Sequence, residues 1–398
     1  MDTETETETV PNPGLARRSF LRRVGIGAAT VFVIADAGLA YRAYDEGVFS
    51  EGHGPAYDPL RSWPDLSGPE AIVGSAILAA NAHNSQPWAF GISPDRIDVF
   101  ADHTRTTGAN DPLLRERDIS LGCALENMVL AARAHGYAPS VRLDPPGGSG
   151  LVATIRLASG PVVRDRLYEE IPNRRSNRSE YTANRVAEAS LAAIGTLADD
   201  GMAPARLHWL TSDTDRRNFA DLLVTATSAH NADDDQSRDS FAWWRSSWDE
   251  VQAHRDGLNI DGVGLPPMIR TLGKILPPTE RASADSTFLD RTRVQAASAA
   301  VFGLILVDEP GSLHDRLVGG RLLQRTHLWA SANGLGFQHM NQITERIDRD
   351  HQLGRTSPFD APLEALAGSP SVLGAFRLGT PTIASLPSPR RSIKDVSR

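Results

Sequence analysis

The apolar positions of the chain fall into helical and strand-like runs that recur in a similar order. A helical run spans Pro69 to Ala79, and Ile97 to Phe100 reads as a strand. A longer helical pattern with Leu and Ala at helical spacing then covers Gly122 to Tyr137. Its Gly136 is placed to end the helix in a left-handed cap. Strand-like runs follow at Ser140 to Leu143 and Leu151 to Leu157. A second helical pattern from Gly320 to Leu335 aligns with the first without gaps; Gly, Leu, Leu, Ala, Ala and Gly coincide. A strand at Val372 to Leu378 follows it. Two αβ units of similar build that pack face to face are expected, although two Ala-rich helices can also match by chance.

The N-terminal part reads differently. Residues 2–9 are an acidic repeat of Thr and Glu with nothing to bury. Arg17-Arg18-Ser19-Phe20-Leu21 then precedes an apolar stretch from Val24 to Ala40. This order resembles a twin-arginine export signal, read by the twin-arginine translocase. Asp36 within the stretch disfavours a permanent membrane span. The expectation is export to the cell envelope or outside, with attachment through an uncleaved signal left open. Residues 41–68, rich in Gly, Pro, Asp and Tyr, read as a linker.

Composition narrows the classes. The chain has 398 residues, 40% of them apolar, and a net charge of −8. No basic excess exists to neutralise a phosphate backbone, so nucleic-acid binding is set aside. The single cysteine, Cys123, lies in an apolar run and reads as a small buried hydrophobe. The histidines show no metal-ligand spacing, so no metal is expected. Asp233-Asp234-Asp235 reads as a solvated loop. Trp243, Trp244 and Trp248 lie in a segment of about 230–290, where Trp244 and Trp248 are spaced to share a helix face as a core anchor or a lid.

Three polar segments carry candidate chemistry. Asn81-Ala82-His83-Asn84-Ser85-Gln86-Pro87-Trp88 follows the first helix and offers amide donors and acceptors. Arg174-Arg175-Ser176-Asn177-Arg178 offers guanidinium and hydroxyl donors suited to phosphate. Arg390-Arg391 lies near the C-terminus. Taken singly, they read as a capped helix end, a basic loop and a tail.

Together with the Gly-x-Ala-x-x-Asn-x-x-Leu-Ala-Ala helix, these segments resemble the nitroreductase family, and more closely its tandem Acg-like subfamily, over roughly residues 65–395. The resemblance implies an α+β, nitroreductase-like fold of two halves, 69–160 and 161–398, forming a monomeric pseudo-dimer. It implies one flavin mononucleotide (FMN) between the halves. Arg174, Ser176 and Arg178 match positions at the phosphate, the ribityl chain and the N1/O2 edge of the ring. Arg390 and Arg391 match terminal phosphate ligands. Asn84, with Gln86 beside it and Asn81 in place of a serine, matches the ring loop. Gln338-His339-Met340-Asn341-Gln342 matches the segment whose backbone N–H faces flavin N5, with Met340, Asn341 and Gln342 as its candidates. The motif pieces are split between the halves, so only one of two sites should survive. The implied reaction passes electrons from NADH or NADPH through FMN to a nitro, quinone or similar acceptor. No side-chain acid or base is required. The alternative is a flavin-storing protein with negligible turnover.

Overall fold

A computed structural model describes residues 37–145, 150–199 and 201–398; the arginine pair at 17 and 18 lies outside them. The protein is α+β. Its first sheet contains β1 (Trp88–Ser93), β2 (Arg96–Ala101), β3 (Tyr137–Leu143) and β4 (Leu151–Ser159). All neighbours are antiparallel, in the order β1-β2-β4-β3. The second contains β5 (Arg206–Leu210), β6 (Val301–Leu306), β7 (Gly336–His339) and β8 (Val372–Gly379) in the order β5-β6-β8-β7, again antiparallel. The same serial order thus occurs twice. Burial separates the two sheets. β3 alternates half-buried and exposed positions, as expected where one face meets water. β6 and β8 are buried along their whole length because helices cover both faces.

Five helices recur below: α1 (Ala37–Asp45), α2 (Arg115–Ala134), α3 (Trp248–His254), α4 (Pro267–Ile275) and α5 (Leu313–Ala332). The aligned helical patterns are α2, between β2 and β3, and α5, between β6 and β7. Both end as expected, with Gly136 at φ 80° and Gly334 at φ 71°. They pack against each other between the sheets, at the first aligned glycines. A Cβ on Gly122 would lie 2.9 Å from the Gly320 Cα, and one on Gly320 would lie 3.0 Å from the Gly122 Cα. Cys123 donates its thiol to the Gly320 carbonyl at 3.2 Å.

The polar contacts across this crossing are reciprocal. In the alignment Asp118, Glu126 and Asn127 correspond to Arg316, Gln324 and Arg325. Glu126, fully buried, accepts from Arg325 at 2.5 Å, and Gln324 donates to Asn127 at 2.8 Å. Arg316 donates to its own counterpart, Asp118, at 3.2 Å. Position i meeting j while the counterpart of i meets the counterpart of j is the signature of a two-fold interface.

The halves differ most between β5 and β6, where five helices replace the tight turn that joins β1 to β2. The sequence reading of this segment needs two corrections. Trp244 and Trp248 share no helix. The helix Asp234–Phe241 ends before Trp244, which instead bridges to Leu258, and Ser247 caps a new helix that starts at Trp248. The cap wins because the Ser247 hydroxyl accepts from the Glu250 N–H at 3.2 Å. Asp233 is not a solvated loop residue. It caps the helix Asp234–Phe241 and pairs with Arg346 and Arg349, each at 3.0 Å.

Candidate cofactor site

After the helix Gly68–Ala76 the chain enters a strained loop. His83, Asn84 and Gln86 have φ of 51°, 53° and 51°, a left-handed conformation that side chains disfavour. Gln86, fully buried, holds the loop in place. Its N–H donates to Asn81 Oδ1 at 2.9 Å, and its Nε2 donates to the Arg255 carbonyl at 2.8 Å. Its Oε1 accepts from the Arg391 N–H at 2.8 Å. Asn84 donates to the Pro389 carbonyl at 3.0 Å and accepts from the Arg390 guanidinium. The loop of the first half is thereby fastened to the C-terminal segment.

The arginine segment is positioned by the other sheet. Ser176 bridges to Phe337 in β7, and the Asn177 N–H donates to the Phe337 carbonyl at 2.8 Å. This pairing turns Arg174, Ser176 and Arg178 toward the strained loop. All three line a partly open cavity together with Asn81, Asn84, Arg175, Arg390 and Leu258. Arg174 and Arg390 converge on one acceptor, the Leu78 carbonyl, at 3.0 and 3.5 Å.

The electrostatics of this cavity are one-sided. Among the described residues no carboxylate pairs with Arg174, Arg175, Arg178 or Arg390, although Arg174 and Arg390 are buried. Burial, with Arg175 and Arg178 adding repulsion, pushes the Arg174 guanidinium down to about 9. Burial pushes Arg175 down to about 10 and lowers Arg178. Burial beside Arg174 and Arg175 holds Arg390 well below the usual arginine range. The Arg174 Nε and His339 Nε2 are buried with no hydrogen-bond partner. Buried cations without counter-charge are costly. An anion with several acceptor oxygens would relieve both the repulsion and the unpaired donor. The residues therefore fit the phosphate of a flavin nucleotide.

Five of the sequence candidates stand off this cavity. Gln86 is spent on the loop itself. Arg391 turns to Asp102 at 3.7 Å and to the Asp395 carbonyl. Met340, Asn341 and Gln342 are not among the residues that line this cavity. The cause is strand register: the Met340 N–H donates to the Ala375 carbonyl at 2.8 Å, which sends its side chain into the core beside Ile343 and Phe302. Asn341 donates to both Glu116 oxygens, at 2.9 and 3.0 Å, and Gln342 opens the helix Gln342–Gln352. The sequence reading held Arg175 and His339 only as members of longer segments, without a role of their own, and missed Leu258 and His327. His327 Nε2 donates to the Arg175 carbonyl at 3.1 Å, so its Nδ1 lone pair faces Arg174 at 3.4 Å. Its ring stacks on Phe337 at 4.2 Å, and His339 stands edge-on to both. Burial and the neighbouring arginines keep both imidazoles neutral, His339 at about 3. The alignment does set His327 opposite Val129, a polar residue where the first copy has an apolar one, but Gln324, Arg325 and Thr326 beside it give it no distinction in the sequence.

No family model matches the chain. Curated relatives do. Part of the chain is similar to a nitroreductase-named protein. That protein, "Putative NAD(P)H nitroreductase" of Mycobacterium tuberculosis, is 28% identical over 198 residues, which cover 48% of this chain and 55% of the relative. The chain thus matches about half the length of that relative. An uncharacterized protein of the same organism is 25% identical over 341 residues, 81% of this chain and 90% of its own. Among solved structures, an FMN-dependent nitroreductase of Mycobacterium smegmatis in complex with NADPH is 14% identical and covers 58% of this chain and 97% of its own, with a TM-score of 0.38. An NADPH:FMN oxidoreductase of Vibrio harveyi covers 57% of this chain and 73% of its own, at 14% identity and a TM-score of 0.33.

Proposed function

We propose that the protein is an FMN-binding oxidoreductase of nitroreductase type, built as two fused halves, 69–160 and 161–398, that share one composite site. The observation that carries this reading is the convergence of four guanidinium groups, none in a salt bridge among the described residues, on a cavity walled by Asn81, Asn84 and Ser176. Arg174 and Arg390 would hold the phosphate as charge-assisted donors, and Ser176 adds a hydroxyl. Asn81 and Asn84 present amide edges. Arg178 supplies a fixed positive charge away from the shared Leu78 acceptor, with one N–H donated to the Gly262 carbonyl at 3.0 Å. When bound, FMN would supply the chemistry, taking electrons from NADH or NADPH and passing them to a nitro, quinone or similar acceptor. The protein's share is to bind, orient and exclude water. The reciprocal contacts of α2 and α5 support the fused-dimer reading.

A second reading, flavin storage with negligible turnover, is favoured by one feature. The segment between β5 and β6 reaches the cavity edge and is bonded to the strained loop beside it. The Gly257 N–H donates to the Asn84 carbonyl at 3.3 Å, His83 Nε2 lies 3.2 Å from Ser240 Oγ, and Leu258 lines the cavity. Anaerobic mixing of the purified protein with NADPH separates the readings. Yellow protein that bleaches supports the oxidoreductase, yellow protein that does not bleach supports storage, and colourless protein that takes up no FMN overturns both. Export by the twin-arginine translocase belongs to the same proposal. Replacing Arg17 and Arg18 with Lys should retain the protein in the cytoplasm; unchanged export would remove that assignment.

A further inference from the structure

We propose that α1 and α4 together form a face that docks on a lipid bilayer, so that the body of the protein rests on a membrane surface. The case begins with exposure. Tyr41, Tyr44 and Phe49 are 71%, 76% and 78% exposed, and every exposed large aromatic side chain among the described residues is one of these three. Tyr41 and Tyr44 stand three residues apart on α1, which turns Ala43 inward and leaves both rings facing out. α4 packs against α1, and it carries Met268, 56% exposed.

The polarity of α4 is reversed relative to a helix that faces water. Its two cations point inward. Lys274 pairs with Asp261 at 2.8 Å and donates to the Gly47 carbonyl at 3.3 Å. Arg270 pairs with Glu51 at 2.9 Å. Both cations are buried while Met268 is in solvent. A solvent-facing helix puts its charges outside and its apolar residues inside. Here the charges lock α4 to the segment after α1, and aromatic and thioether groups are left on the outside.

The chain upstream identifies the occupant. The apolar run Val24 to Ala40, preceded by Arg22 and Arg23, ends in the first turn of α1. Tyr and Phe beside an apolar segment, with basic residues at its other end, match the preferences of a membrane interface, where amphipathic rings sit at headgroup level. A bilayer is the partner that meets the run and the face together.

The test uses the full chain and one convenient property of it. Cys123 is completely buried, and burial pushes its thiol up to about 12, so an introduced cysteine is the reactive one. Tyr44→Cys, Met268→Cys and, as a control on another surface, Leu353→Cys are each labelled with an environment-sensitive fluorophore. They are then mixed with phosphatidylcholine–phosphatidylglycerol vesicles containing a spin-labelled lipid. The proposal expects a blue shift and lipid quenching at positions 44 and 268, and neither at 353. Quenching at 44 with an unchanged label at 268 would mean that only the apolar run inserts, and overturns the face. A concentration-dependent shift at 44 and 268 without vesicles would assign the face to a second copy of the chain and overturns the bilayer. No change at any position also overturns it. The readout needs no flavin, so its failure is distinct from failure of the FMN assignment.

Discussion

Gly122 and Gly320 face each other at the point where α2 and α5 touch, each occupying the space that a side chain on the other would need. The contact is self-complementary, and it sets how the strained loop of one half meets the arginine segment tied to the other sheet. Gly122→Ala should therefore cost more than an ordinary helix substitution. The added methyl would press on the Gly320 Cα and the Leu317 carbonyl, backbone atoms that cannot turn away. A loss of about 1–3 kcal/mol is expected from overpacking, against the small gain that Ala brings to an unconstrained helix. Chemical denaturation checks it.

Arg174 and Arg178 should separate in kind. Arg174, fixed on Leu78 beside Arg390, would see the phosphate, whose charge is the same in both redox states. Arg174→Ala should weaken FMN binding by about 1.5–3 kcal/mol, with little change in midpoint potential. Arg178, matched to the N1/O2 edge, would favour the reduced anion over the neutral ring. Arg178→Ala should lower the potential, by about 30 mV for each 1.4 kcal/mol of lost preference. Spectroelectrochemical titration of both variants decides. Equal potentials in wild type and Arg178→Ala would mean that the guanidinium acts elsewhere.

A buried acid cluster gives a pH dependence of defined sign. Among the described residues the Glu116 carboxylate accepts from Asn341, and it lies near Asp111, Asp348 and Glu345. Burial first, then the neighbouring acids, raises both Glu116 and Glu345 above the usual carboxylate range. A raised carboxyl pKa means that the folded state holds protons the unfolded chain has released. Its contribution is complete below about pH 4.3 and is lost as the pH climbs through the raised values toward neutrality. Glu116→Gln keeps an acceptor for Asn341 and removes the charge. The variant should be more stable than wild type at pH 8 and closer to it at pH 5, as read by denaturant midpoints. A constant difference would show that the cluster does not titrate in this range.

The cover over the cavity should be releasable at one residue. Trp248 rests on Gly47 and stacks on Tyr57 with centroids 6.5 Å apart, in a small apolar cluster separate from the main cores. Trp248→Ala should loosen the cover and leave the sheets intact. Iodide quenching of bound flavin fluorescence would then rise, with a modest change in melting temperature. Unchanged quenching would show that the bonds to Asn84 and His83 hold the cover without Trp248.

How much of this was legible in the sequence depends on the range of the interaction responsible. The aligned helices were legible because helical spacing and a left-handed Gly cap are local facts, and Gly136 and Gly334 carry them. Arg174, Ser176 and Arg178 were legible because a short run of phosphate-type donors stands out in an acidic chain. The register at the end of β7 was not. The direction in which Met340 points is set by a hydrogen bond to Ala375, distant in sequence. The break between Trp244 and Trp248 was missed because helical spacing was weighed above the Ser247 cap. The pairing of Arg174 with His327 joins residues brought together only by packing against Phe337.

The central claim is one flavin held by one composite site. Flavin released from the purified protein by heat, identified as FMN and quantified against polypeptide, tests it most directly. The account predicts one FMN per chain, because a single cavity gathers Arg174, Ser176, Arg390 and Asn84. A ratio near two would show that the other half has kept a site, and protein that neither contains nor takes up FMN would show that the arginine cluster serves another anion.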